Sequence, residues 1–166
     1  MTSICLYDLA GFDGLPVAQR LFGDGIQRLA PFQSAELPLS SGIPCTVLRL
    51  CENNFRVRLQ EADGTALQQA FTQAQIGQRV WLQSFAWLSR LTLPDGIERL
   101  AEIAVPKSPH RIAGLQMNCA APGRIDGVAV LVWRHSAQGQ PAVDLHLAAS
   151  DRKIIQTKLL ALEFPL

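Results

Sequence analysis

Apolar and polar residues alternate with a period of two through much of this chain, the signature of strands with one buried face. Cys45 to Leu50 and Phe55 to Gln60 are two such runs around Glu52-Asn53-Asn54. Asparagine tolerates positive φ, so a tight hairpin turn is expected there. Across a two-residue loop, Leu48, Leu50, Phe55, Val57 and Leu59 share one face, and Arg49, Arg56 and Arg58 share the other. Gly77 to Leu82 opens another strand that continues to Leu93, and Pro94-Asp95-Gly96 is a turn. Ile97 to Val105 reads as a returning strand, with a helix as the alternative. Thr65 to Gln75 fits either a strand or a short helix.

The C-terminal part reads as a three-stranded meander: Ile125 to His135, Ala142 to Ala148 and Lys153 to Phe164. Gln138-Gly139-Gln140-Pro141 and Ser150-Asp151-Arg152 supply its turns. Alternation gathers Val130, Val132, Leu145 and Leu147 into one core. Residues 1–44 are punctuated by Gly11, Gly14, Gly23, Gly25 and Gly42 and by Pro16, Pro31, Pro38 and Pro44. They predict an irregular arm with a short helix from Pro16 to about Leu29. Residues 106–124 read as a loop. The expected fold is mainly β: a small antiparallel barrel or sandwich in a single domain, 1–166. Its barrel-like core is 45–105, its arm 1–44 and its meander 125–166. No βαβ alternation, internal repeat or charge run is visible.

Composition narrows the classes. Of 166 residues 48% are apolar, enough for a buried core and too many for a disordered chain. A formal net charge of +1 selects neither nucleic acid nor anionic membrane. The N-terminus, Met1 to Asp8, lacks the basic and apolar regions of a secretory signal. No apolar run approaches the ~20 residues of a membrane helix. A cytoplasmic protein is expected, without membrane insertion. Cys5, Cys45, Cys51 and Cys119 show no paired spacing. Cys45 and Cys51, along one strand, would sit roughly 20 Å apart, beyond the ~7 Å limit for a disulfide. Four reduced cysteines, mostly buried, are expected.

Candidate chemistry falls in three places. Arg49, Arg56 and Arg58 on one hairpin face are either solvated or paired with Glu52 and Glu61, or they suit a phosphate-bearing ligand or an acidic protein surface. Lys107 and Arg111 add a second basic spot. Asp144 and His146 lie two residues apart on one strand. A hairpin turn at 138–141 adds Leu131, Trp133 and His135 to their face. That group offers acid–base chemistry in a small hydrolase or isomerase, or two-thirds of a metal site. The opposing expectation is a solvated polar face with no nucleophile or oxyanion hole beside it. Trp81, Phe85 and Trp87 could stack single-stranded nucleic acid together with the arginines, but are expected in the core. No Walker loop, GxSxG, HExxH or GxGxxG is present, and no cofactor or metal is expected.

The runs Thr46-Val47-Leu48-Arg49-Leu50, Phe55-Arg56-Val57-Arg58-Leu59 and Ile76-Gly77-Gln78-Arg79-Val80-Trp81-Leu82, then Leu91 to Val105, resemble the strand rhythm of PilZ-type domains. The resemblance covers about a third of the chain and implies a six-stranded barrel with a glycine, here Gly77, before a central strand. It implies cyclic di-GMP binding through an Arg-x-x-x-Arg and an Asp/Asn-x-Ser-x-x-Gly. Neither is present: Ser40-Ser41-Gly42-Ile43-Pro44 has no arginine pair, and Glu61-Ala62-Asp63-Gly64-Thr65 has no serine. An adaptor role with the ligand site lost is what the resemblance then implies. A non-enzymatic binding or adaptor module, joined to a protein partner or a second copy, is the leading reading.

Overall fold

A computed structural model describes residues 3–137 and 139–166. Gln138, part of the expected turn, and Met1 and Thr2 lie outside the described residues. The chain divides into two compact units, Met1–Phe85 and Ala86–Leu166. The segment read as a 45–105 core spans the division between them.

The first unit holds an open antiparallel sheet in the order β2-β3-β4-β1-β5. The strands are β1 (Ile4–Ala10), β2 (Ser34–Glu36), β3 (Thr46–Cys51), β4 (Asn54–Gln60) and β5 (Trp81–Gln83). Two helices, α1 (Gly14–Phe22) and α2 (Gly64–Ala74), cover one face. Val17, Ala18 and Leu21 of α1 and Leu67 of α2 pack with Leu9, Val47, Phe55, Val57 and Leu59. The expected irregular arm is therefore corrected: β1 pairs along its whole length with β4, and α1 is regular to Gly23. Gly23 takes φ +84 and ends the helix. The entry to α1 is equally tight. A Cβ on Gly14 would sit 1.9 Å from the Asn53 carbonyl oxygen. The alternative left open for 65–75 resolves as helix, with Leu67 and the partly buried Phe71 on the core side at i, i+4.

The second unit has a sheet in the order β6-β10-β9-β8-β7. Its strands are β6 (Leu88–Pro94), β7 (Ala104–Pro106), β8 (Cys119–Ile125), β9 (Val128–Ala137) and β10 (Gln140–Ala148). Helices α3 (Ile97–Ala101) and α4 (Arg152–Ala161) cover one face. Val130, Val132, Leu145 and Leu147 are buried together, as alternation requires. Two strand expectations are corrected. Ile97 opens the short α3, with only Ala104–Pro106 returning as strand. Lys153 to Phe164 is mostly α4, because Ile155 and Leu159 at i, i+4 both reach the core. The expected 77–93 strand is two strands, β5 and β6, and the 106–124 loop gives way to β8 at Cys119.

Neither sheet closes into a barrel, and Gly77, at φ +73, precedes the edge strand β5. The mainly antiparallel β class is as expected.

The two units share one architecture, with no matching sequence repeat. Strands β1, β2, β3 and β4 correspond in order, pairing and direction to β6, β8, β9 and β10. After β4 and β10 come a 3-10 turn and a helix, with Asp63 and Asp151 at equivalent N-caps. Leu67 then matches Ile155, both fully buried. Arg56 and Arg58 of β4 occupy the positions of Asp144 and His146 in β10. One difference concerns the edges. Strand β1 is flanked by β5 beside Ala10, whereas β6 is terminal and carries Pro94 at the matching place.

Candidate functional site

The arginine hairpin departs from the expected register. Cys51 pairs with Asn54, but Arg49 pairs with Phe55, so Leu50 bulges out. One extra residue reverses the side on which each earlier residue points. Arg49 thus falls on the side of Phe55, its guanidinium 5.5 Å from that ring's centroid, and Leu48 joins Arg56 and Arg58 on the other. The three arginines do not share a face. Arg49 is spent on backbone carbonyls: it donates to Leu29 at 2.7 Å, Glu52 at 2.8 Å and Cys51 at 3.3 Å. Arg56 is buried and grips Asp8 with Nε to Oδ1 at 2.7 Å and a second bond to Oδ2 at 2.9 Å. Arg56 is thus neither solvated nor turned to Glu52, but held by this two-pronged bond to Asp8, directly opposite across the β1–β4 ladder. Arg58 is half-buried on the same side.

The C-terminal cluster is assembled as the alternation requires. Asp144 pairs with Trp133, His146 with Leu131 and Ala142 with His135. Its environment is the correction. No solvated face is found: His135 and Asp144 are 0% exposed and His146 is also buried. The Nε2 atoms of His135 and His146 lie 3.2 and 3.9 Å from Asp144 Oδ2. The shorter approach is in ion-pair range without hydrogen-bond alignment. His135 Nδ1 is 3.0 Å from the Ser136 carbonyl oxygen, which can only accept, so this nitrogen carries hydrogen.

Thr92, opposite Asp144 on β6, donates from Oγ1 to Asp144 Oδ1 at 2.7 Å. Arg90 donates to Thr92 Oγ1 and stands 3.8 Å from the same carboxylate oxygen. The Trp133 ring completes the group, with centroids 4.8 Å from His135 and 5.7 Å, edge-on, from His146. Sequence reasoning found the three titratable members and missed Thr92 and Arg90. Only the β6–β10 pairing, between residues 52 apart, brings them in.

Asp144 accepts a hydrogen bond from Thr92 and is faced by Arg90 and both imidazoles, so its buried charge has polar partners around it, while the His135 Nε2 atom makes no aligned hydrogen bond. Thr92 is the exposed residue at the rim, its hydroxyl bonded to Asp144 and Arg90. Among the described residues no cluster of three metal-ligating side chains has the arrangement to hold a metal ion. Trp81 and Trp87 are exposed rather than in the core, and Phe85 meets Trp81 edge-on at 6.0 Å. Lys107 and Arg111 are exposed.

All four cysteines are free, but only Cys45 is buried; Cys51 is exposed. Burial pushes the Cys45 thiol up to about 12. The Cys5 and Cys119 thiols are raised by burial as well. Thiolate is the reactive form, so iodoacetamide near pH 8 should label Cys51 first, Cys5 and Cys119 more slowly, and Cys45 only on unfolding. A thiol raised on folding contributes stability that is complete below its unfolded value and lost as pH rises towards 12. Cys45→Ser should therefore flatten the alkaline decline in Tm above pH 9. Peptide-level mass spectrometry and melting curves check both outcomes.

No family model matches the chain, and no curated protein matches it in sequence. Solved structures share its fold. Glycine cleavage system aminomethyltransferase T from Bartonella henselae matches with a TM-score of 0.76 at 15% identity, over 95% of this chain and 43% of that one. The present chain thus spans less than half of that protein. Heterotetrameric sarcosine oxidase from Corynebacterium sp. U-96, in complex with pyrrole 2-carboxylate, matches with a TM-score of 0.61 at 18% identity, over 92% of this chain and 75% of that chain. No helix among the described residues is long and apolar enough to cross a membrane.

Proposed function

We propose that the chain is a non-catalytic, protein-binding subunit that docks on an acidic surface of a larger enzyme. The observation that carries this reading is the internal commitment of its polar chemistry. Arg56 is held by Asp8, Arg49 by three carbonyls, and Asp144 by Thr92 and His135. Groups bonded in this way hold a fold together; the exception is the buried His135 Nε2, which has no hydrogen-bond partner among the described residues. The fold likeness to a chain of a heterotetrameric oxidase, three-quarters of which this chain spans, supports a subunit role. A phosphate-bearing ligand is the small-molecule form of the same basic recognition.

A second reading is a small hydrolase or isomerase centred on His135, Asp144 and His146. In its favour both imidazoles converge on one carboxylate oxygen. Co-expression with the other subunits of a heterotetrameric sarcosine oxidase separates the readings. The expected result is co-elution in one complex, with no sarcosine oxidation or aminomethyl transfer by the chain alone. Turnover by the isolated chain that disappears in His146→Ala would overturn the subunit reading, as would failure to co-elute.

A further inference from the structure

We infer that the loop from Lys107 to Met117, together with Val105 of β7, is the docking surface and that it takes an acidic protein segment bearing apolar side chains. This rests on the subunit reading and names the face that would serve it. The loop is built to hold one shape. Ile112 and Leu115 are buried in the second unit's core. The Lys107 N–H donates to the Pro122 carbonyl at 2.9 Å, and the His110 N–H closes a turn onto the Lys107 carbonyl at 2.8 Å. From outside the loop, Glu98 Oε1 accepts from the Gly114 N–H at 3.0 Å and Arg134 donates to the Leu115 carbonyl at 2.8 Å. A segment anchored at so many points has little freedom left to lose on binding, which lowers the cost of association.

What this fixed loop presents is basic and apolar together. Lys107 and Arg111 are exposed on either side of the turn, and neither has an ion-pair partner among the described residues. Residues 103–125 contain Lys107, Arg111 and Arg124 and no aspartate or glutamate. Val105, 68% exposed, and Met117 supply apolar surface at the two ends. Charge complementarity then calls for carboxylates on the partner, and the apolar ends call for aliphatic side chains beside them. The stretch 103–125 carries no Phe, Tyr or Trp, so it offers no stacking platform for single-stranded nucleic acid. Three cations are few for holding an anionic membrane surface.

The test uses the full chain and a fluorescent peptide of alternating glutamate and leucine, with polyuridylate as a second probe, both read by anisotropy at low and physiological salt. The double variant Lys107→Glu/Arg111→Glu should weaken peptide binding about tenfold or more and flatten its salt dependence, at unchanged Tm. Val105→Ser should weaken it about threefold, and Arg28→Glu, an exposed arginine of the first unit, should leave it unchanged. Wild-type affinity in the double variant, no peptide binding at all, or tighter binding to polyuridylate would each overturn the inference. Co-elution of the double variant with the oxidase subunits as efficiently as wild type would also overturn it, while leaving the subunit reading intact.

Discussion

Asp144→Ala is expected to unfold much of the second unit at temperatures where the wild-type protein is intact. The substitution removes the one carboxylate that His135, His146, Thr92 and Arg90 all approach. It leaves the buried imidazoles without the carboxylate they face and takes from the Thr92 hydroxyl its acceptor. Breaking a buried ion cluster by deleting one member costs about 3–5 kcal/mol, a large part of the ~5–15 kcal/mol that holds a typical domain. Thr92→Val should cost less, about 1–3 kcal/mol, since it removes the hydroxyl's bonds to Asp144 and Arg90 but leaves the carboxylate facing the imidazoles and Arg90. Chemical denaturation of both variants checks the ratio. Equal and small losses would mean that the cluster contributes little to the fold, and the acid–base reading would regain ground.

The matched pair Leu67→Ala and Ile155→Ala should give losses of similar size in different places. Each side chain is fully buried, on α2 in one core and on α4 in the other. Truncating such a residue costs about 2–5 kcal/mol, the spread reflecting how far the cavity can collapse. Because the two cores have no member in common, the loss of hydrogen-exchange protection should stay within residues 4–83 for the first variant and within 88–164 for the second. Protection lost equally across both ranges by either variant would show the units to unfold as one.

What could be read from the sequence follows the distance over which each feature is determined. The alternation from Val128 to Ala148 is local, and it placed Val130, Val132, Leu145 and Leu147 inside and Trp133, Asp144 and His146 on one shared face. The arginine hairpin was lost to a single residue. A clean two-residue turn is the simplest reading of Glu52-Asn53-Asn54, and nothing in the residues around Leu50 announces a bulge, yet the bulge moves Arg49 away from Arg56. Helix α4 hides because Ile154, Ile155, Leu159, Leu160 and Leu162 suit a strand as well as a helix; only burial of Ile155 and Leu159 decides. The shared architecture is silent for a related reason. Between 61–71 and 149–159 the aspartate at the N-cap position (Asp63, Asp151) and an aliphatic residue at the buried position (Leu67, Ile155) recur while most of the solvent-facing residues differ. Burial of the His135 cluster was likewise illegible, since alternation reports which face a residue takes and not whether water reaches that face.

Pro94 bears on how this protein behaves when crowded. A terminal strand of seven residues is a template on which a stray chain can assemble, and the same strand position in the first half of the molecule does carry an added strand. Proline has no N–H to give to a newcomer, and sheets tolerate it only at such margins. Arg152 bonds the neighbouring Arg90 carbonyl at 2.7 Å, occupying an acceptor on the same strand. Proline at this place therefore withholds one donor from the margin of the second sheet, where the first sheet gains β5.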